Sequence, residues 1–258
     1  MGSIIGDYEV IRQIGEGGFG RTYEARHVLN PNIKACLKQN INLSPADAKL
    51  LFHEAELMAK VSHYSLPAWR NLHRATDGSY VLVMEFIPGK TLDKIIEKHH
   101  ALHPEEVSWI TQRLLNALHY LHAKGIIHGD VKPSNVIIQP GEHNAVLVDY
   151  GLSSAQPTHT TKAVGYTPVF VAPEITQGKP PIPESDLYCL GLTMMYALGG
   201  DPIAKSMPEY VPAPLQEFYR TLTRYNPVER PNWEKQDLVA RLSDIRLEVF
   251  GQRHSKKP

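Results

Sequence analysis

Cysteine is scarce in this 258-residue chain, and neither sign of charge predominates. The two cysteines, Cys36 and Cys189, lie in a predicted strand and a predicted core helix, so we expect buried free thiols in a reducing compartment rather than a disulfide. Lysine plus arginine and aspartate plus glutamate each total 27, and the basic residues are dispersed. The sequence therefore lacks the basic patch of a nucleic-acid-binding or membrane-surface protein, and we expect no nucleic-acid partner.

Long apolar runs are also missing. The best candidate, residues 187–198, has the length of a core helix and is too short to span a bilayer. No signal peptide is visible. The start Met1-Gly2 lacks the serine or threonine at position six that myristoylation prefers, since Gly6 is there. We expect a cytoplasmic protein without a membrane segment.

Two short segments contain the candidate catalytic and metal-binding residues. Residues 128–135 read His-Gly-Asp-Val-Lys-Pro-Ser-Asn, and residues 148–151 read Val-Asp-Tyr-Gly. Two carboxylates and an amide at these offsets suit phosphoryl transfer from a magnesium nucleotide. One carboxylate orients and deprotonates the attacking hydroxyl, while the other carboxylate and the amide hold the metal ions that neutralise phosphate charge.

These segments resemble the catalytic loop and the metal-binding loop of eukaryotic-like (Hanks-type) protein kinases, whose usual forms are H-R-D-x-K-x-x-N and D-F-G. The resemblance implies that Asp130 is the catalytic base and that Lys132 meets the transferring phosphoryl group. It also implies that Asn135 and Asp149 bind Mg²⁺ (or Mn²⁺) and that Ile137 lines the ATP pocket.

A glycine-rich segment near the start matches G-x-G-x-x-G. Residues 8–14 alternate like a strand and residues 22–25 resume one, so no helix follows the glycines and a Rossmann turn does not fit. Glycines let backbone amides close over phosphates. The resemblance implies that this flap contacts ATP through Gly15, Gly17, Gly18, Phe19, Gly20 and Thr22.

Residues 35–38, Ala-Cys-Leu-Lys, resemble the family's V-A-I-K strand. The resemblance makes Lys38 the phosphate-binding lysine and places Cys36 beside the nucleotide. Lys34 competes for the lysine role, but only Lys38 has an apolar pair immediately before it.

A helix is predicted to start at the cap Ser44, with proline in its first turn, and to continue through Val61. It carries Glu54, which matches the family glutamate that pairs with the strand lysine. Glu56 is the nearest rival for that role.

Residues 81–89 read as a buried strand that runs into a hinge. By resemblance, Met84 lies at the back of the adenine pocket, and the backbone of Glu85 and Ile87 hydrogen-bonds the base.

In the second half, a long helix is predicted from Pro104 to Gly125, with an apolar face that supports the catalytic loop. Residues 172–174 match A-P-E, and the resemblance pairs Glu174 with Arg230. Asp186 matches the anchoring aspartate of a buried helix.

The acceptor type follows from two residues. Serine/threonine kinases carry lysine two positions after the catalytic aspartate, as Lys132 is here, and Thr167 occupies the threonine position of the segment before A-P-E. We therefore expect a protein substrate with a serine or threonine acceptor.

Several positions depart from the family pattern. Gly129 replaces the arginine of H-R-D, which in many relatives binds a phosphate on the activation segment. We expect that activity does not depend strongly on phosphorylation of Thr158, Thr160 or Thr161. Tyr150 replaces phenylalanine in D-F-G, and Tyr166 stands where glycine usually precedes Thr-Pro. The proline-rich link 199–214 is short where relatives place a helix that often docks substrates.

The implied fold is α+β and bilobal. Residues 1–86 form a small nucleotide-binding lobe of five antiparallel strands and one helix, and residues 87–258 form a mainly helical catalytic and substrate lobe. The compact chain and its flap sequence, Gly-Gly-Phe-Gly-Arg-Thr-Tyr, are similar to those of the bacterial branch of the family. An input signal is expected from a regulatory protein partner, from autophosphorylation, or not at all.

Two other functions stay open. Aminoglycoside and choline kinases often show H-G-D with Asn five residues on and phosphorylate small alcohols, but they normally lack counterparts of Lys132, the A-P-E segment, Asp186 and Arg230. A pseudokinase scaffold would bind nucleotide without efficient transfer. Pseudokinases usually lose one of the lysine, the two aspartates or the metal-binding asparagine, and all of these are present here.

Overall fold

A computed structural model describes residues 3–17 and 20–253 of the chain. The chain divides into two compact units, Met1–Pro88 and Gly89–Pro258. The first unit is built on one β-sheet, and the second is mainly helical.

In the residues that the structure describes, the smaller unit contains one antiparallel sheet and one helix. Its elements are β1 (Ile4–Ile5), β2 (Tyr8–Gly17), β3 (Gly20–His27), β4 (Lys34–Gln39), α1 (Pro45–Met58), β5 (Trp69–Arg74) and β6 (Tyr80–Glu85). The strand order is β1-β2-β3-β4-β6-β5. The five longer strands match the predicted number, and the two-residue edge strand β1 is an addition to them.

Alternation along β4 separates the core from the candidate site. Successive side chains of a strand point to opposite faces. Ala35 and Leu37 lie in a buried cluster with Val81 and Val83 of β6. The other face of β4 carries Cys36 and Lys38, which pair in register with Met84 and Leu82. The strand register therefore presents Lys38 on the face opposite this apolar cluster.

Helix α1 begins as predicted and ends earlier than predicted. Ser44 caps it by accepting a hydrogen bond from the Asp47 amide at 3.1 Å. The extension through Val61 is wrong, because the helix ends at Met58. The amides of Lys60 and Val61 bond carbonyls three residues back, so the chain tightens into a turn there. Val61 is still buried.

The larger unit contains six helices in its described part, with three short strand pairings. Its elements are β7 (Lys90–Thr91), α2 (Leu92–His99), α3 (Pro104–Ala123), β8 (Ile126–Ile127), β9 (Val136–Gln139), β10 (Asn144–Leu147), β11 (Ser154–Ala155), α4 (Pro173–Thr176), α5 (Pro183–Ala197), α6 (Ala213–Leu222) and α7 (Leu238–Phe250). Strand β9 pairs with β7 and β10, and β8 pairs with β11.

Helix α3 is the predicted support of the catalytic loop. His103 caps it, and the Glu106 carboxylate accepts a hydrogen bond from the His103 amide at 3.2 Å. Its apolar face is fully buried. The chain leaves the helix through Gly125, whose φ of +72° suits glycine. Strand β8 and residues 128–135 follow directly.

Helix α5 is buried along nearly its whole length, in keeping with the core helix expected there. Among the residues that the structure describes, none of the helices is both long enough and apolar enough to cross a lipid bilayer. Residues 198–212 form turns and a single bridge between Asp201 and Ser206, so the proline-rich link is not helical.

Candidate active site

Lys38 and Glu54 form a buried ion pair in the smaller unit. The Lys38 Nζ donates to Glu54 Oε2 at 2.7 Å and to Oε1 at 2.9 Å, and the two side chains are 9% and 3% exposed. The rivals lie elsewhere: Lys34 bonds Glu24 at 2.7 Å, and Glu56 is exposed. The geometry therefore agrees with the predicted pairing of strand lysine and helix glutamate.

The glycine-rich flap is the hairpin between β2 and β3. Gly15 pairs with Thr22, and Gly17 pairs with Gly20. A Cβ on Gly17 would meet nothing within 4 Å, whereas one on Gly20 would lie 2.4 Å from the Gln39 carbonyl oxygen. Gly20 is therefore required by the packing of β3 on β4. Gly17 has open space above its backbone, and a Cβ on Gly15 would make an ordinary contact with Thr22 at 3.8 Å. The predicted ligands Gly18 and Phe19 lie outside the described residues.

The hinge region follows β6. Met84 is buried, and Glu85 and Ile87 are partly exposed. The Glu85 amide donates to the Ala68 carbonyl at 2.8 Å, and the Glu85 carboxylate accepts from the Ala68 amide at 3.1 Å. The Glu85 N–H is thus already used, so it could not donate to a base without losing this bond.

In the larger unit, Asp186 of α5 holds the start of the catalytic loop. Its Oδ2 accepts from the His128 amide and its Oδ1 from the Gly129 amide, each at 2.8 Å. The Asp186 side chain is 1% exposed. Burial alone raises the pKa of Asp186, but the hydrogen bond from His122 and neighbouring interactions outweigh it and hold that pKa below the usual range. Asp186 is therefore a charged anchor for two consecutive amides.

Asp130 lies at the centre of a compact hydrogen-bonded group. Its Oδ1 accepts from the Thr167 hydroxyl at 2.6 Å, and its Oδ2 accepts from Asn135 Nδ2 at 2.9 Å and Lys132 Nζ at 2.7 Å. Lys132 also donates to the Thr167 hydroxyl at 2.7 Å. The structure thus brings the predicted site residues Lys132 and Asn135 together with Thr167 around the buried carboxylate of Asp130.

Asn135 connects this group to the second aspartate. It ends a short 3₁₀ turn, Pro133–Asn135, and its Nδ2 also donates to the Asp130 carbonyl at 2.9 Å. The Asn135 carbonyl accepts from the Val148 amide at 2.9 Å, which places Asp149 next in the chain beside it. Because Nδ2 is used as a donor, Oδ1 is the Asn135 atom that could bind a cation. Ile137, in β9, is partly buried.

Asp149 has an unusual backbone. Its φ is +71°, in the left-handed region that aspartate tolerates better than most residues, and its Oδ1 accepts from the Gly151 amide at 3.2 Å. Strain of this kind concentrates at functional sites. Asp149 and Asn135 supply oxygen atoms, which are the ligands that Mg²⁺ prefers. The donor chemistry of these two residues therefore fits a hard divalent cation.

His128 and Tyr150 lie close to Asp130 and Asp149 in the chain and pack against each other. Their rings lie 5.5 Å apart, and both side chains are fully buried. Burial lowers the pKa of His128, so its imidazole is neutral near pH 7. Its Nδ1 accepts from the Asp130 amide at 3.3 Å. His128 therefore holds the Asp130 backbone, and Tyr150 packs against the His128 ring.

Gly129 has a backbone reason to be glycine. Its φ is +79°, and an added Cβ would lie 2.6 Å from the Leu152 carbonyl oxygen. A side chain at this position would require the catalytic loop or Leu152 to shift. The backbone conformation at this position therefore favours glycine over the arginine that is usual in the family.

The A-P-E segment is fixed by the predicted ion pair. Arg230 donates to both oxygens of Glu174 at 2.7 and 2.8 Å, and both side chains are almost fully buried. Burial alone raises the pKa of Glu174, but the hydrogen bonds from Arg230 and Ser185 outweigh it, and that pKa is lowered.

Sequence reasoning missed some residues around the loop. Thr167 was associated with acceptor type and not with Asp130 itself, although its position before Pro168 placed it in the right segment. His122 and Trp233 carry no signal in the sequence, because a contact between residues 111 positions apart leaves no local pattern. His122 Nε2 lies 2.8 Å from Asp186 Oδ2, and Trp233 Nε1 donates to His122 Nδ1 at 2.8 Å.

Comparison with known proteins agrees with this geometry. The protein kinase domain family model matches residues 8–242. The chain belongs to the protein kinase family. Aurora kinase C of Mus musculus is 31% identical over 246 residues, which cover 88% of each chain. Two cyanobacterial proteins are similar as well: serine/threonine-protein kinase D of Synechocystis, 31% identical over 215 residues, and serine/threonine-protein kinase PknA of Nostoc, 32% identical over 210 residues.

The cyanobacterial relatives are longer proteins. The matches cover 76% and 75% of this chain but only 41% and 37% of those relatives. At the level of the domain, the predicted family, the α+β kinase fold and the serine/threonine kinase type are confirmed. Protein kinases in general use ATP, a divalent metal and a protein substrate.

Proposed function

We propose that the chain is a catalytically active kinase that transfers the γ-phosphoryl group of ATP to serine or threonine hydroxyls of protein substrates, with Mg²⁺ or Mn²⁺ as the metal. The observation that carries the proposal is the bonding of Asp130. Its carboxylate already accepts a hydrogen bond from an alcohol, Thr167, at 2.6 Å, beside the ammonium group of Lys132.

Asp130 has the arrangement of a base that orients a hydroxyl. A carboxylate offers about four acceptor sites. Three are taken by Thr167, Lys132 and Asn135, and one more remains on the Oδ1 side for an incoming hydroxyl. Hydrogen bonds from Lys132 and Asn135 fix the carboxylate, so the acceptor hydroxyl would meet a prepositioned group.

Lys132 would stabilise charge during transfer. Its ammonium group bonds Asp130 and Thr167 at 2.7 Å, and it can exchange one of these bonds for an oxygen of the moving phosphoryl group. In the smaller unit, Lys38 would bind the nonreacting phosphates, with Glu54 holding its Nζ in place. Gly15 and Gly17 would let backbone amides approach the phosphates.

Asn135 and Asp149 would hold the metal through Oδ1 and a carboxylate oxygen. The metal nucleotide supplies the phosphoryl group and neutralises charge that builds on its oxygens. Cys36 of β4 and Met84 of β6, which pair in register, would line the site that receives the base. Cys189 is buried as expected, whereas Cys36 is only partly buried, and as thiols both fit a reducing compartment such as the cytoplasm.

The test is incorporation of label from γ-labelled ATP with magnesium. Casein-type proteins and a panel of small alcohols, including aminoglycosides and choline, are offered to the wild type and to Asp149→Asn. We expect label on serine and threonine of protein, with at least about a 100-fold loss in Asp149→Asn. Label on a small alcohol alone would favour the aminoglycoside or choline kinase type, and nucleotide binding without transfer would indicate a pseudokinase.

A further inference from the structure

A line of hydrogen bonds connects the C-terminal part of the larger unit to the catalytic loop. Trp233 lies in the segment between Arg230 and α7, far along the chain from the loop. Its indole N–H donates to His122 Nδ1 at 2.8 Å. His122 Nε2 lies 2.8 Å from Asp186 Oδ2, and Asp186 accepts the amides of His128 and Gly129.

The chemistry of these groups fixes the proton on His122. An indole nitrogen can only donate, so the imidazole nitrogen that faces it must be an acceptor and carry no proton. In a neutral imidazole the other nitrogen then carries the proton. That nitrogen, Nε2, faces a carboxylate oxygen of Asp186, which can only accept. Trp233 therefore selects the tautomer in which His122 donates to Asp186.

The position of His122 matters because His122 and the catalytic loop donate to the same oxygen atom of Asp186. Asp186 Oδ2 accepts from both His122 Nε2 and the His128 amide. The His122 side chain is 2% exposed and that of Asp186 is 1% exposed, so water cannot easily replace a lost donor. A rotation of His122 would move this oxygen, and with it the amide two residues before Asp130.

Packing alone does not explain this contact. The Trp233 ring stacks on His119 with centroids 4.6 Å apart and an interplanar angle of 18°, and this contact holds the ring without any hydrogen bond. The N–H bond to His122 is a separate, directional interaction. The two contacts can therefore be removed independently.

We propose that Trp233 is a positioning residue for phosphoryl transfer: through the tautomer of His122 it fixes Asp186 and thereby the catalytic loop that carries Asp130. Trp233 does not touch substrate in this account. The kinetic part of the proposal rests on the proposed kinase function, whereas the tautomer and the loop anchoring do not.

The first experiment needs no activity. In ¹⁵N-labelled wild type, we expect the His122 ring to show the Nε2–H tautomer, with an unprotonated Nδ1 that accepts a hydrogen bond. In Trp233→Phe, which keeps an aromatic ring for His119, the Nδ1 resonance should shift. Amide exchange at His128 and Gly129 should accelerate by about ten-fold or more. A protonated Nδ1 in the wild type, or unchanged exchange in the variant, would overturn the proposal.

The second experiment measures turnover. We expect Trp233→Phe to lower kcat about ten-fold with little change in the KM for ATP, a smaller loss than the roughly 100-fold that a 1 Å misplacement can cost. His119→Ala is the control, because it removes the stacking contact and keeps the N–H bond. It should lower the melting temperature but leave kcat within about two-fold.

A double-mutant cycle separates action through His122 from general destabilisation. His122→Gln keeps an amide that can donate to Asp186 and has no tautomer to select. In this background, we expect Trp233→Phe to change kcat by less than about two-fold, because the two residues act in series. An equal loss in both backgrounds would show that Trp233 acts by another route. An inactive wild type with the expected tautomer and exchange would refute the kinase function and leave the anchoring intact.

Discussion

At the residue scale, the two lysines of β4 show how similar side chains acquire different environments. Lys34 is half exposed and bonds Glu24, which also pairs with Arg12 at 2.7 Å. The hydrogen bond from Lys34 is the main reason that the pKa of Glu24 is lowered. Lys38 is buried and pairs with Glu54. The apolar pair before Lys38 distinguishes the two lysines in the sequence, whereas the partners of Lys34 cannot be read from it.

This difference yields a matched pair of variants. We expect Lys38→Met to lower kcat/KM by about 100-fold or more, because it removes a buried positive charge proposed to bind phosphate. Lys34→Met should keep activity within about three-fold and cost at most about 1 kcal/mol of stability, since Lys34 is exposed and Arg12 still pairs with Glu24. Steady-state kinetics with a protein substrate measures both variants. Equal losses of activity would contradict the assignment of Lys38.

At the element scale, strands and helices were predictable where a local pattern specifies them. The cap at Ser44, the helix start at Pro104 and the alternation of β2 are examples. The end of α1 was not, because the turn at Lys60 and Val61 depends on backbone bonds that no residue type demands. The backbone of Gly129 was not predictable either, since it depends on a close approach to Leu152. Long-range contacts decide such details.

The activation segment carries a cluster of threonines. The Thr158 amide donates to the Thr161 hydroxyl at 2.8 Å, and the Thr158 hydroxyl lies 3.1 Å from the Thr160 hydroxyl. Gly129 offers no side chain that could bind a phosphate on this segment, and Asp186 already anchors the loop. A phosphate group on one of these threonines would therefore find no side chain to bind at position 129.

We expect the variant with Thr158, Thr160 and Thr161 all changed to Ala to keep kcat within about three-fold of the wild type. The control is Thr167→Ala in the same segment, which removes the hydroxyl bonded to Asp130 and Lys132 and should lower kcat at least about ten-fold. Initial rates on a protein substrate measure both. A collapse of activity in the triple variant would show that activation does require these threonines.

At the scale of the whole molecule, the two units differ in how much of the candidate site the sequence predicted. The motif positions gave the groups around Asp130 and the pair Lys38–Glu54. The residues that hold these groups, such as Thr167 and His122, were identified only from the structure, because they come from distant segments. The ion pair between Glu174 and Arg230 is a long-range contact that was predicted. It connects the segment after residue 171 to the C-terminal third of the larger unit.

Glu174→Gln should destabilise the protein by about 3–5 kcal/mol at pH 7, because it leaves the buried Arg230 without its counter-charge. The folded-state pKa of Glu174 is lowered from the ordinary value of 4.5. Its contribution is therefore fully present well above pH 4.5 and is lost as the pH falls through the folded-state pKa. Urea unfolding across this range should show the gap between wild type and variant narrowing below pH 4.5. A gap that stays constant would contradict the role of the charge.

The central claim is that Asp130 accepts the proton of a protein hydroxyl during phosphoryl transfer. Phosphopeptide mapping after incubation with ATP and magnesium, in wild type and in Asp130→Ala, tests it most directly. We expect phosphoserine or phosphothreonine in the wild type and at least about a 100-fold loss in the variant. Equal phosphorylation by Asp130→Ala, or phosphate found only on residues other than serine and threonine, would contradict it.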